Sequence, residues 1–126
     1  MDDRSALIKI GDTEYELILT TRATKEISGR YGGLENLGEK LMKSENFEMA
    51  LGEIVWLVTL LANQSILIHN IKYKDAPKDL LTEEDLELLT TPADLAGYKD
   101  AITEAMVKGT ARNIPSEDTP KNPEAE

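Results

Sequence analysis

Gly33 and Gly38 stand five positions apart, the spacing of the two glycines that frame a phosphate-binding loop. Such a loop needs a lysine and then a hydroxyl directly after the second glycine, because those groups meet phosphate and Mg²⁺. Here Glu39 and Lys40 follow, so an acid falls where the lysine belongs. Nor does "SGRYGGLENLG" give Gly-x-Gly-x-x-Gly after a strand. His69 is the only histidine and there is no cysteine, so neither a His-pair metal site nor a thiol nucleophile can be assembled. Its place at the end of a long apolar run suits a cation at a helix C-terminus. The acids of "TEEDLEL" lack the alternating oxygen ligands and central glycine of a calcium loop, and read as the acidic first turn of a helix. No catalytic, cofactor-binding or metal-ligating residue emerges. The reading is of a protein that is not an enzyme.

Charge narrows the partners. The chain has 126 residues and a formal net charge of −10, which argues against a nucleic-acid backbone as ligand. Residues 75 to 104 hold nine acids (Asp75, Asp79, Glu83, Glu84, Asp85, Glu87, Asp94, Asp100, Glu104) against Lys78 and Lys99, a local balance of −7. That stretch is either a solvated face or a surface that steers a basic partner. The acidic opening Met1-Asp2-Asp3 does not look like a secretory signal, and the absence of cysteine fits a reducing cytosol. The run Ile54 to Ile68 is interrupted by Thr59, Asn63, Gln64 and Ser65. It is short for a membrane span, so a buried core helix and no membrane are expected.

The elements that must position these groups follow from period and punctuation. In "ALIKIGDTEYELIL", residues 6 to 19, apolar positions alternate on both sides of Gly11-Asp12. A two-residue turn there pairs Ile8 with Tyr15 and Lys9 with Glu14, apolar with apolar and plus with minus. A hairpin is marginal alone, so its apolar face must lie on a helix. Thr20 or Thr21 caps a helix over about 21–31, with Ala23, Ile27 and Tyr31 at helical spacing and Gly32-Gly33 as the stop. A second helix over about 34–43 carries Leu34, Leu37, Leu41 and Met42 on one side. Ser44 or Asn46 caps a third, about 47–70, apolar all round and therefore central. Thr82 opens a fourth, about 82–90, with Asp85 completing a near capping box. The fifth, about 92–108, has Thr91 at its cap, Pro92 at its first position and Gly109 as its stop. Leu95, Tyr98, Ile102, Ala105 and Met106 line one of its faces. Met42, Met49 and Met106 read as core fillers. Residues 113–126 hold three prolines and little to bury, and are expected to be a disordered acidic tail. The fold class is α+β and mostly helical: an N-terminal β-hairpin on a bundle of about four to five helices around a central apolar helix, one globular domain over 1–112.

The order of the pieces is more telling than any one of them. A hairpin ending "YELILTTRATKEISGRYGGLENLGEKL", a polar gap, then "FEMALGEIVWLVTLLANQSILIHN" resembles the tail assembly chaperones of long-tailed bacteriophages and prophages. In that family a strand pair leads into leucine-x-leucine-Thr-Thr-Arg-x-x-x-x-Ile-x-x-x-Tyr-Gly-Gly, then an apolar helix and a variable acidic end. The resemblance covers roughly residues 6 to 71. It implies a non-catalytic protein of the host cell cytoplasm that binds the tape measure protein, recruits major tail tube protein, and is often made in two lengths. No contact motif is carried over from the family. The exposed apolar stripes of a helical tape measure protein would be covered by a helix-in-groove mode. The stripes nominated for it are Ile27, Tyr31, Leu34, Leu37, Leu41 and Met42 on the first two helices, with Leu95, Tyr98, Ile102 and Met106 on the last. A homo-oligomer is compatible with the pattern. The alternative is an acidic inhibitor or DNA-mimic-type module acting on a basic partner surface.

Overall fold

The computed structural model describes residues 3–43 and 47–111, with the side chains of 41–50 and 111 outside the described part. The expected caps Ser44 and Asn46, the expected tail 113–126 and the side chain of Met49 therefore lie outside it. The chain runs β1 (Ala6–Ile10), β2 (Thr13–Leu17), α1 (Thr21–Tyr31), α2 (Leu34–Lys43), α3 (Phe47–Lys72), α4 (Glu83–Leu89) and α5 (Pro92–Ala111). It is an α+β fold, mostly helical.

The hairpin pairs antiparallel with Ile8 opposite Tyr15 and Lys9 opposite Glu14, and Gly11 takes the positive φ of 62° that the turn needs. The second strand ends at Leu17, two residues before the alternating pattern does. Its ladder stops because β1 begins at Ala6, the partner of Leu17. The next amide, Ile18, donates instead to the Leu61 carbonyl of α3 at 3.2 Å. Ile18 and Leu19 are both buried, so this extended link is threaded between hairpin and helices.

Thr20 caps α1: its hydroxyl oxygen accepts from the Ala23 amide at 3.0 Å, and its proton goes to the carboxamide oxygen of Gln64. Gln64 is buried and also donates to the Leu60 carbonyl, so a polar side chain in the apolar run ties the start of α1 to α3. Gly32 closes α1 in the left-handed region at φ 84°, its amide donating to Ser28. The glycine amide is spent on the helix. Thr82 and Asp85 form a complete capping box at α4, and Thr91 and Asp94 make the same reciprocal pair of bonds at α5.

At the centre is α3. Ile54, Val55, Leu57, Val58, Leu61, Ala62 and Ile66 are buried, and the helix packs against β2, α1, α4 and α5. Leu51–Lys72 is also the one span among the described residues long and apolar enough to cross a membrane by length and composition.

Two helix ends differ from expectation. The central helix runs on to Lys72, and α5 passes through Gly109 to Ala111. Gly109 is therefore no stop. A Cβ there would lie 2.7 Å from the Leu19 Cβ, so the missing side chain lets α5 approach the link after the hairpin. The other edge of the hairpin is held by the same helix: the Tyr98 hydroxyl donates to the Lys9 carbonyl, and the Lys108 ammonium to the Ser5 carbonyl at 2.9 Å.

Candidate functional site

The ten residues nominated for partner contact fall mainly on inner faces. Ile27, Leu37 and Ile102 are fully buried, and Leu95 and Tyr98 nearly so. Tyr31, Leu34 and Met106 are half-buried against the core. The side chains of Leu41 and Met42 lie outside the described part. Both stripes are thus how α1, α2 and α5 join the domain, and their buried members are not surface in this monomer. The physical reason is that the hairpin and α3 alone cannot cover each other; the amphipathic helices supply the remaining wall.

Tyr31 belongs to a polar and aromatic cluster that fastens α1 and α2 to α3. Its hydroxyl donates to Glu53 Oε1 at 2.8 Å, and Lys40 meets the other oxygen at 3.2 Å. Its ring stands edge-on to Trp56 with centroids 6.2 Å apart. The Arg30 guanidinium lies 4.4 Å over the Trp56 ring, a cation–π pair. Burial, and then the Glu53 carboxylate accepting its proton, raise the Tyr31 hydroxyl above the ordinary phenol range. Burial, with Asp94 nearby, raises that of Tyr98. Both phenols are held as donors. Arg30 and Lys40, two cations of the glycine-rich neighbourhood, are thereby engaged with aromatic rings and a carboxylate.

His69 acts on its local backbone: Nε2 is 2.9 Å from the Ala76 carbonyl and its ring is tilted against Tyr73 at 4.9 Å. Among the described residues no group of three or more His, Asp or Glu is placed to hold a metal.

Sequence reading passed over two features. The first is an asparagine clamp. Asn63 Nδ2 donates to the Leu81 carbonyl at 2.9 Å while its Oδ1 accepts the Leu81 amide at 2.8 Å. Asn70 does the same to Lys78, at 3.1 and 2.8 Å. Two asparagines seven residues apart are separated by about 10 Å along a helix, the reach of three extended residues. The segment 78–81 is therefore laid antiparallel along α3, its backbone satisfied by side chains where no strand is available. Asn63→Ala is expected to cost about 1 kcal/mol, since a half-exposed segment regains water partners. Faster hydrogen exchange at the Leu81 amide checks it; unchanged exchange would remove the clamp from the account.

The second is exposed apolar surface. Among the described residues, five of the seven large apolar side chains that stand exposed fall between residues 71 and 89: Ile71, Tyr73, Leu80, Leu88 and Leu89. All nine acids of residues 75–104 are exposed as well. The local signal for Leu88 and Leu89 was present in "EEDLELL": a helix of seven residues with one buried leucine, Leu86, has little inner face for two more.

No protein-family model, curated protein or solved structure matches the chain.

Proposed function

We propose that this chain is a tail assembly chaperone of a long-tailed bacteriophage or prophage. In this reading it works without catalysis in the host cell cytoplasm, binding the tape measure protein and recruiting major tail tube protein. One observation carries it. The residues on which the resemblance rests form a single structural unit: Leu17 and Leu19 are buried, Thr20 caps α1, Ile27 is buried beneath it, Tyr31 reaches Glu53 and Gly32 closes the helix. A pattern whose members share one mechanical task is stronger support than matching composition.

The contact surface moves with the burial. The buried stripes around Ile27 and Ile102 cannot cover a partner while the domain is folded, whereas Leu80, Leu88 and Leu89 can. Exposed apolar side chains of this kind, rimmed by acids, mark a protein contact. A helical tape measure segment laying its apolar stripe there would be kept soluble. Co-expression is the test. A tape measure fragment should be recovered soluble with the wild-type chain and insoluble with the Leu88→Asp, Leu89→Asp variant. Insolubility with the wild-type chain would overturn the reading.

The nine exposed acids favour a second reading, an acidic inhibitor or DNA-mimic-type module on a basic surface. That binding would weaken steeply with salt. A contact made by apolar side chains would weaken far less.

A further inference from the structure

The hairpin has two edges, and α5 closes only one. In an antiparallel pair, opposed residues alternate between exchanging both backbone bonds and turning their amides and carbonyls outward. With a two-residue turn at Gly11-Asp12, Ile10 with Thr13 and Ile8 with Tyr15 exchange bonds, so Lys9 and Leu7 point outward on β1, and Glu14 and Glu16 on β2. The Tyr98 hydroxyl on the Lys9 carbonyl agrees with this alternation. On the β2 side, the outward amide of Ile18 is taken by Leu61. Towards the turn, no backbone bond from another described residue reaches Glu14 or Glu16 outside the ladder. There the strand and the last turns of α3 enclose a cleft of about 380 Å³, walled by Glu14, Glu16, Ser65, His69, Lys78 and Asp79 among others.

We propose that this cleft is a docking site for an extended, basic segment of another protein, which adds a third strand along the free edge of β2. The backbone supplies the pairing groups at Glu14 and Glu16, as in strand addition generally. Charge selects the occupant: Glu14, Glu16 and Asp79 line the cleft against a single lysine, Lys78. A second copy is disfavoured by the same residues. Antiparallel pairing of β2 with itself would bring Glu14 and Glu16 of the two copies together, and like charges opposed across strands destabilise a sheet. The chain's own last residues, "PSEDTPKNPEAE", are acidic and proline-rich, the wrong sign and poor strand donors. The proposal goes beyond the chaperone reading and does not depend on it, since none of Leu80, Leu88 and Leu89 lines the cleft.

The test uses the full chain and three short peptides: lysine alternating with valine, its glutamate counterpart, and the lysine peptide N-methylated at alternate amides. The lysine peptide is expected to slow hydrogen exchange at the Glu14 and Glu16 amides. It should bind roughly tenfold more tightly than either control, the effect of one or two backbone bonds or of reversed charge. No binding, equal binding of the N-methylated peptide, or binding that leaves those two amides unprotected would overturn the proposal. So would protection that rises with protein concentration alone, which would make a second copy the occupant.

Discussion

Leu61→Ala is expected to lower the unfolding free energy by about 2–5 kcal/mol, the range for deleting most of a buried leucine and leaving part of the space empty. Leu61 has no exposed surface and sits mid-helix among Leu57, Val58 and Ala62, all fully buried. Its carbonyl also receives the Ile18 amide. A shift of α3 to fill the void would pull on that bond, so the site cannot collapse freely and the cost should not fall to the bottom of the range. Leu88→Ala is the matching control. The same atoms are removed from a side chain 76% exposed, and the change should stay within about 0.5 kcal/mol. Urea unfolding measures both, with an unchanged slope showing that the denatured state is the same. A Leu61→Ala chain as stable as the control would mean that α3 is not the element on which the others are built.

What the sequence made legible was what neighbours in the chain decide. The register of the hairpin follows from period two and a two-residue turn, so Ile8 opposite Tyr15 could be read without a third element. The starts of α1, α4 and α5 follow from Thr20 or Thr21, of which Thr20 is the cap, Thr82 with Asp85, and Thr91 with Asp94, because a cap is a bond between residues three apart. Gly32 as a stop follows from the same locality. What the sequence left open concerns relations across the chain. An apolar stripe looks the same whether a neighbouring helix or a partner will cover it, and so Ile27, Leu37 and Ile102 read as contact candidates while the folded chain buries them in its core. Asn63 looked like a polar break in an apolar run, because the backbone it serves, at Leu81, is a segment with no pattern of its own. The β2 edge was invisible for a related reason: alternation shows which side chains share a face, while the free edge depends on which helix lies alongside.

Gly109 shows how such a relation can reverse the sign of a substitution. In an exposed helix interior, alanine in place of glycine stabilises by up to about 1 kcal/mol, because glycine gives up more backbone freedom on folding. Gly97, in the same helix with nothing within 4 Å of an added Cβ, should behave in this way. At Gly109 the added carbon meets the Leu19 Cβ at 2.7 Å and its Cδ2 at 3.0 Å. The nearer atom is fixed to the backbone of a buried link, so a rotamer change cannot clear it. Gly109→Ala is therefore expected to destabilise by about 1–3 kcal/mol, the range for overpacking. A helix stop would also resent alanine, so the sign alone does not separate the two roles. Asparagine does. It is accepted at a left-handed stop, whereas a close approach rejects it more strongly than alanine. Thermal unfolding of Gly97→Ala, Gly109→Ala and Gly109→Asn should thus rank in that descending order. A Gly109→Asn chain melting near the wild type would return this glycine to the role of a stop and end α5 before it.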